Sequence, residues 1–258
     1  MIMQQIDKGS LSYSDIFELR AEDYHTAMTR YPAARAAEFL ALVDFACLQP
    51  SSVIADIPSG GGYLESYIDD VADAIVAVEP SEQFYSRCKE TQRLNKVFSP
   101  LEELAIDDQA VDSIVSLAGL HHVIDRLKVF REFHRILKPS GTLCIGDVRL
   151  GSNVDRFLNV FVHEHNSLGH EGWFIDSGFR QTLTQAGFDI KNRQVIPYRW
   201  SFSGKEQMAE FCILMFGLDK ATPEIVLAAI EQYLGYSSDE SGYHMNWELE
   251  FLRCRHSL

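Results

Sequence analysis

Three glycines stand between an apolar run and a helix-like pattern in the segment VIADIPSGGGYLESYI, residues 53–68. Glycine lets the backbone approach a ligand closely and adopt positive φ angles. Glu79 follows at about 20 positions, the spacing at which an acidic residue binds the hydroxyls of a ribose. For the glycines alone, a tight turn between strand and helix is the alternative. The turn and Glu79 together predict a nucleoside site, with Asp56, Gly60, Gly62 and Glu79 as its best candidates.

Histidines form a second group of residues with chemical capacity. His121 and His122 follow the fourth predicted strand, where one of them is a candidate base for removing a proton from an acceptor. The alternative is that both simply begin the next helix. A later segment, HEHNSLGHEGWF, is dense in titratable side chains: His163, Glu164, His165, His170 and Glu171. We interpret it as lining a substrate, with a solvated loop and a zinc or iron site as alternatives. The catalytic candidates are His121, His165 and His170, and no metal ligand is assigned.

Strands and helices alternate along the part of the chain that must position these residues. A helical region at 15–48 comes first, and Pro50 stops it. Apolar runs predict strands of a parallel sheet at 52–57, 74–80, 96–99, 111–119 and 141–148. Helical spacing predicts helices at 63–71, 81–94 and 125–138. Such alternation indicates a doubly wound sheet with right-handed crossovers.

The pattern changes after Val148. Residues 149–175 are predicted to be irregular, and 176–188 to form a helix ended by Gly187. A strand at 189–202, helices near 204–216 and 222–235, and a strand at 246–255 follow. The predicted fold class is α/β: a Rossmann-like, doubly wound, mostly parallel seven-stranded sheet with helices on both faces. An N-terminal helical lid and a helical insertion before the last strand complete it.

The chain is expected to form a single domain, residues 1–258, because no linker is rich enough in Gly, Pro or Ser to divide it. Its predicted parts are a helical cap, a cofactor-binding core, a substrate loop with a helix and a strand, a helical insertion and a final strand. Their boundaries are 1–49, 50–150, 151–202, 203–236 and 237–258.

Four segments resemble successive motifs of class I S-adenosylmethionine-dependent methyltransferases: VIADIPSGGGYL, AIVAVEPS, VDSIVSLAGLHHVID and REFHRILKPSGTLCIGDV. The resemblance is closest to the ubiquinone-biosynthesis-like (type 11) small-molecule branch and covers residues 50–150. It implies S-adenosylmethionine as cofactor, S-adenosylhomocysteine as product, and an N-terminal lid. With the spacing argument above, the cofactor-binding residues are Tyr24, Arg30, Asp56, Pro58, Ser59, Gly60, Gly62, Glu79, Pro80, Pro100, Leu101, Glu102, Leu117, Ala118 and His122.

Two prolines depart from the family pattern. Pro58 stands at the first glycine of the family's Asp-x-Gly-x-Gly-x-Gly turn, and proline fixes φ and removes an amide donor. Pro100 stands where the family often has an aspartate that contacts the adenine amino group. Adenine is therefore expected to be held by backbone and apolar packing near Leu101 and Glu102. In the lid, Arg30 is expected to meet the methionyl carboxylate.

Composition narrows the class of protein. The net charge of −14 argues against a nucleic-acid acceptor. Five widely spaced cysteines without a C-x-x-C motif suit reduced thiols in a cytoplasmic protein. No apolar run approaches the ~20 residues of a membrane span, and the first residues do not resemble a signal peptide. A small-molecule acceptor and a monomer or homodimer are expected.

The predicted function is S-adenosylmethionine-dependent methyl transfer to a small molecule, on oxygen, nitrogen or carbon, by in-line displacement. One alternative is a protein that binds the cofactor without transferring its methyl group, which Pro58 and Pro100 motivate. Another is an NAD(P)-dependent oxidoreductase. This alternative is less favoured because the turn reads S-G-G-G-Y, whereas dinucleotide sites have G-x-G-x-x-G.

Overall fold

The computed structural model describes residues 11–50, 52–68 and 72–257, and a mixed sheet runs through their centre. Within these residues the sheet has eight strands: β1 Ser52–Asp56, β2 Ala72–Glu79, β3 Leu94–Phe98, β4 Val111–Leu117, β5 Leu137–Asp147, β6 Phe188–Phe202, β7 Tyr236–Asp239 and β8 Gly242–His256. Their order is β3-β2-β1-β4-β5-β8-β6. The first five strands of this order pair in parallel, and β8 runs antiparallel to β5 and β6.

Neighbouring residues of β1 show how the sheet is covered. Ile54 and Ala55 are both 0% exposed, yet they belong to two different apolar clusters. Successive side chains of a strand point to opposite faces, so the two clusters lie on opposite sides of the sheet. Leu42 and Phe211 belong to the Ile54 cluster, and Phe130 to the Ala55 cluster. The predicted sheet with helices on both faces is confirmed.

Helices pack around this sheet. They are α1 Tyr13–Arg30, α2 Ala36–Ala46, α3 Glu82–Arg87, α4 Arg126–Ile136, α5 Asn153–Arg156, α6 His163–His165, α7 Ser177–Gln185, α8 Lys205–Phe216 and α9 Pro223–Ala229. Short 3₁₀ turns lie at Tyr63–Tyr67 and Leu120–His122, and π-helical stretches at Phe157–Val162 and Ile230–Leu234. Helix α1 packs against α3 and α8. Across the described ranges, no helix combines the length and apolarity needed to span a membrane.

The seven predicted strands correspond to the seven strands in the path of the sheet. Strand β7 is additional, and it pairs only with the beginning of β8. Helices α8 and α9 lie in the stretches predicted to be helical before the last strand. The proposed division of the chain into five parts stays a prediction.

Three segments differ from the sequence-based expectation. The described part of the predicted helix 63–71 is a 3₁₀ turn with no side-chain cap, and its last three positions lie outside the described residues. The predicted helix 81–94 ends at Arg87, because the Lys96 ammonium binds the carbonyls of Tyr85 and Cys88 at 3.1 and 3.0 Å and satisfies the helix end.

The segment 149–175, predicted to be irregular, contains a continuous helical stretch from Asn153 to His165. The Ser152 hydroxyl accepts from the Asp155 N–H at 3.0 Å and caps its start. Its apolar side chains recur at helical spacing and are buried, among them Val154, Leu158 and Phe161. The histidines and glycines that follow obscured this pattern in the sequence.

Candidate active site

The glycine turn lies at the carboxyl end of β1, where ligands bind in open α/β sheets. The peptide bond between Ile57 and Pro58 is cis. Gly60 and Gly62 have φ angles of +55° and +75°, which L side chains rarely adopt. A Cβ on Gly62 would also lie 2.7 Å from the Cys88 sulfur. The backbone of this turn therefore requires glycine at both positions.

Glu79 ends β2 and is 0% exposed. Its carboxylate accepts hydrogen bonds from the Gly60 N–H at 2.7 Å, the Ser81 N–H at 2.9 Å and the Tyr13 hydroxyl at 3.2 Å. Burial raises the pKa of Glu79 to about 8, although these hydrogen bonds act in the opposite direction. Glu79 thus holds the turn and α1 together by a single buried carboxyl group.

Asp56 and Ser59 lie beside Glu79 as further buried polar groups. Asp56 is 5% exposed, and burial raises its pKa to about 8. The Ser59 hydroxyl is buried and has no hydrogen-bond partner within the described part of the chain. Such a group ordinarily costs free energy unless a ligand or water satisfies it. The predicted nucleoside site therefore offers one orphaned hydroxyl and two carboxyl groups, which fits a polar cofactor.

A cavity of about 50 Å³ opens onto this turn. Four predicted cofactor residues line it with the turn: Tyr24, Leu117, Ala118 and Asp56. Tyr13 and Phe17 of α1 cover it, and the Tyr63 hydroxyl, bonded to His25 Nδ1 at 2.9 Å, lies over the glycines. Ligand pockets usually exceed ~300 Å³. A nucleoside cofactor therefore fits only after α1 or the Tyr63 ring moves.

A second cavity of about 60 Å³ adjoins the first. Both are lined by Phe17, Tyr24, Arg35 and Ala118. The far wall of the second cavity is a stack of flat rings. Trp200 and Trp247 have centroids 4.2 Å apart, and Phe216 and Trp247 5.9 Å apart. We call this second space the acceptor cavity.

Buried charges lie in the same wall. Arg35 and Glu38 form an ion pair at 5% and 1% side-chain exposure, and the other Glu38 oxygen accepts from the Trp200 indole at 2.7 Å. Arg20 is also buried, and its Nη2 donates to the Met215 carbonyl at 2.7 Å. Its Nε has no partner and it makes no ion pair within the described residues. Burial lowers the pKa of Arg20 to about 10, so it still carries its charge at neutral pH.

Three buried histidines form the remaining side of the acceptor cavity. His121 Nδ1 is 2.7 Å from an oxygen of Asp147, whose other oxygen accepts from the His121 N–H at 3.2 Å. His122 and His170 complete the cluster, with ring centroids 5.2 Å apart. Burial lowers the pKa of both rings well below the usual range, and they are neutral. His170 Nδ1 bonds Asn159 Oδ1 at 3.0 Å.

Some predicted site residues lie elsewhere. Arg30 pairs with Glu210, and both side chains are exposed. His165 packs its ring against Phe161 and bonds the Phe161 carbonyl at 3.0 Å through Nδ1. His165 is not among the residues that line either cavity, and its catalytic role stays a prediction.

The predicted adenine-binding residues do not line the cavity at the turn either. The turn that follows β3 exposes Pro100, half-buries Glu102 and buries Leu101 in the cluster around Ala55. The Pro80 carbonyl accepts from the Ser14 hydroxyl at 3.4 Å. His122, predicted to contact the cofactor, lines the acceptor cavity. The roles of these residues stay predictions.

Several residues of the site were not predicted from the sequence: Tyr13, Phe17, Arg20, Arg35, Glu38, Tyr63, Asp147, Asn159, Trp200 and Trp247. Asp147 alone carried a local signal, because it is an acidic residue that ends a predicted strand. The others come from helices and strands that only the tertiary fold brings to the carboxyl edge of the sheet.

Known proteins match this core. Residues 55–145 match a family model described as a methyltransferase domain. The ubiquinone/menaquinone biosynthesis C-methyltransferase UbiE of Geotalea daltonii is 32% identical over 68 residues, 26% of this chain and 29% of that protein. The UbiE of Citrifermentans bemidjiense is 27% identical over 108 residues, 38% of this chain and 46% of that protein. The chain thus spans less than half the length of these two relatives.

Solved structures support the fold over nearly the whole chain. The [4+2]-cyclase SpnF aligns with a TM-score of 0.65 at 15% identity and covers 95% of both chains. At this identity the likeness concerns the fold alone. The predicted resemblance is confirmed by the match at 55–145 and by the sheet order described above. Residues 55–145 are therefore similar to class I S-adenosylmethionine-dependent methyltransferases of the type 11 branch.

Proposed function

We propose that the protein transfers the methyl group of S-adenosylmethionine to a small molecule held in the acceptor cavity. One observation carries this proposal: the cavity at the glycine turn and the acceptor cavity share a wall of Phe17, Tyr24, Arg35 and Ala118. A cofactor at the turn and an acceptor beside the histidines would therefore meet across a short distance. Such closeness is what in-line displacement at a methyl carbon requires.

The cofactor's parts match the polar groups at the turn. The Glu79 carboxylate accepts the ribose hydroxyls, and the unpartnered Ser59 hydroxyl and the backbone of Gly60 face the methionyl part. S-adenosylmethionine supplies a sulfonium, whose positive charge would favour the ionised form of the buried Asp56 carboxyl group. In the transfer, the bond between sulfur and methyl carbon breaks as the acceptor atom bonds that carbon. S-adenosylhomocysteine leaves as a neutral thioether.

The acceptor is a flat, anionic small molecule, and it fits only after the cavity of about 60 Å³ widens. The stacked rings of Trp200, Phe216 and Trp247 offer wide apolar faces to a planar ligand. Arg20 is a buried guanidinium without an ion-pair partner among the described residues, and it lines the same cavity, so a carboxylate or phenolate is its natural partner. His121, oriented by Asp147, is the candidate for receiving the acceptor's proton.

We also infer that the protein works in the cytoplasm. All five cysteines are free thiols, and four of them are buried. Thiols persist in reducing compartments. Whether the protein acts as a monomer or a homodimer is tested by light scattering of the full chain.

Calorimetric titration of the full chain with S-adenosylhomocysteine tests the cofactor. We expect the wild type to bind with micromolar affinity. Glu79→Gln should weaken this affinity by about one to two decades, because a hydrogen bond to a charged group contributes roughly 1.5–3 kcal/mol. Glu90→Gln, which changes an exposed carboxylate, is the matched control and leaves the affinity unchanged. Absence of binding in the wild type, with binding of NAD(P)H instead, would support the oxidoreductase alternative.

Methyl transfer itself is tested with labelled S-adenosylmethionine and a panel of aromatic acids, phenols and amines. We expect label in aromatic acids or phenols, and slower transfer in Arg20→Gln through a higher KM. A protein that binds S-adenosylhomocysteine tightly but labels none of these acceptors would favour binding without transfer. The [4+2]-cyclase that shares this fold shows why that alternative is retained.

A further inference from the structure

We propose that His121, His122 and His170 bind one divalent cation of the zinc class, whose open coordination position faces the acceptor cavity. The three residues come from two distant parts of the chain. His121 and His122 form the 3₁₀ turn after β4, and His170 lies beyond α6. The fold brings them together over the end of β5, where Asp147 lies.

The spacing of the three rings suits a single ion. One ligand atom from each histidine lies within 4.8 Å of the others, and all three side chains are buried. Zinc–nitrogen bonds of about 2.0–2.1 Å in tetrahedral geometry place the ligand nitrogens about 3.4 Å apart. Small rotations of the rings therefore close the site around an ion.

Groups behind two of the rings fix their orientation as they do in metal proteins. Asp147 holds His121 through Nδ1 at 2.7 Å, and Asn159 holds His170 through Nδ1 at 3.0 Å. The Nε2 atoms of both rings make no hydrogen bond within the described part of the chain. A carboxylate–histidine–metal arrangement of this kind is common, because it fixes the tautomer and raises the basicity of the ligand.

The burial of the cluster points the same way. His121, His122 and His170 all belong to the buried polar side chains of the fold. One ring nitrogen of each histidine converges on the same small space, where one cation can bind all three. An ion bound to His121 Nε2 would exclude His121 from acting as a base, because Nδ1 is already bonded to Asp147. The cation would then favour the deprotonated form of the acceptor in its place.

The site also has an entrance. His170 lines both the acceptor cavity and an outer groove of about 630 Å³, together with His163 and Glu171. An ion can therefore reach the cluster from solvent without passing through the cofactor cavity. Three protein ligands leave the fourth tetrahedral position for water or an acceptor. Provided that the proposed methyl transfer is correct, the acceptor binds this position through an oxygen or sulfur atom.

Metal binding is measured on the full chain without cofactor, so that its outcome is independent of methyl transfer. The protein is stripped with a chelator, dialysed and titrated with Zn²⁺ in competition with a chromophoric chelator. We expect one equivalent, with an affinity reduced at least tenfold in His122→Gln and in His170→Gln. Asn159→Ala removes the hydrogen-bond partner of the His170 ring, and the zinc affinity of this variant should fall by about 10- to 100-fold. His256→Gln removes a histidine outside the cluster and retains the wild-type affinity.

A second measurement needs no variant. Co²⁺ bound to the wild-type protein should show the intense visible absorption bands of a tetrahedral site, and Zn²⁺ should abolish them. Weak, superstoichiometric binding, or equal zinc affinity in the wild type and both ligand variants with intact near-UV circular dichroism, would overturn the proposal. Such a result would leave the cofactor titration with S-adenosylhomocysteine untouched, so the two failures can be told apart.

Discussion

Replacing Tyr13 by phenylalanine should tighten the binding of S-adenosylhomocysteine. The Tyr13 hydroxyl donates to Glu79 at 3.2 Å, and Glu79 is the carboxylate proposed to bind the ribose hydroxyls. Burial raises the pKa of Tyr13 well above its usual range, so the hydroxyl stays protonated and remains a donor. In the structure the phenol thus holds the place that a ribose hydroxyl would take, and a ligand must displace it.

The size of the effect follows from that hydrogen bond. Hydrogen bonds to charged groups contribute about 1.5–3 kcal/mol, and neutral ones about 0.5–1.5 kcal/mol. The Tyr13 bond is long, and its acceptor has a pKa near 8, so it is largely protonated at pH 7. We therefore take about 1 kcal/mol, which corresponds to an increase in affinity of about fivefold. The apolar contact of the ring with Phe17 remains in Tyr13→Phe.

Calorimetry at pH 7 measures this change, with Tyr85→Phe as the control. Tyr85 is half-buried in α3, and its ring contacts the Lys96 ammonium, but its hydroxyl does not touch Glu79. We expect Tyr85→Phe to bind like the wild type. Equal or weaker binding by Tyr13→Phe would refute the reasoning, because it would mean that the phenol does not compete with the ligand for the carboxylate.

Three further predictions concern charge and backbone. Burial raises the pKa of Glu79 to about 8, and binding of the ribose hydroxyls uses its ionised form. S-adenosylhomocysteine affinity should therefore rise with pH from 6 to 8.5, by up to about tenfold per unit, and calorimetry in buffers of different ionisation enthalpy should detect release of a proton. Glu38→Gln leaves the Arg35 guanidinium buried without its anion and should lower the free energy of unfolding in urea by about 3–5 kcal/mol. Gly62→Ala should lower it by at least about 1–2 kcal/mol, because its φ is +75°.

Each of these has a result that would contradict it. A pH-independent affinity would mean that the Glu79 carboxyl group does not change its protonation on binding. For the ion pair of Glu38 the control is Glu210→Gln, which changes the exposed partner of Arg30. This variant should lower the free energy of unfolding by less than about 1 kcal/mol. Similar losses of stability in both variants would contradict an effect of burial. Gly151→Ala shares a positive φ of +80° but meets no atom within 4 Å, so it should cost less than Gly62→Ala.

The raised pKa values of Glu79 and Asp56 affect the stability of the protein without ligand. Both acids bind a proton more tightly in the folded chain than their usual pKa values of 3.8 and 4.5 allow. Their contribution to stability is therefore fully present below pH 4 and is lost as pH rises through about 8. Thermal unfolding of the ligand-free protein across this pH range measures how its stability changes with pH.

Local sequence patterns were sufficient to predict the parallel part of the sheet. The turn around Gly60 and the acidic residue Glu79 are close in sequence, and their spacing alone placed them at one edge of the sheet. Apolar runs such as β4 were recognisable because both of their faces are buried. Right-handed crossovers between these strands followed from the rule for such connections, whereas the order of the strands was not predicted.

Contacts between residues that are distant in sequence could not be predicted from these local patterns. His170 joins His121 only because the helical stretch from Asn153 to His165 returns the chain to the sheet edge. The Arg30 side chain has a counter-charge in Glu210, which belongs to α8 and was not visible as a partner in the sequence. Tyr13 carried no chemical motif, and its contact with Glu79 depends on how α1 lies across the sheet.

Helix α1 closes two spaces at once, since Phe17 and Tyr24 line both the turn-side cavity and the acceptor cavity. A single opening of this helix would therefore widen both cavities at once. In a catalytic cycle the two products would leave during the same opening event, and the reopening of α1 would set the upper limit on turnover. An increase in solvent viscosity should then lower kcat, even though no chemical step involves the solvent.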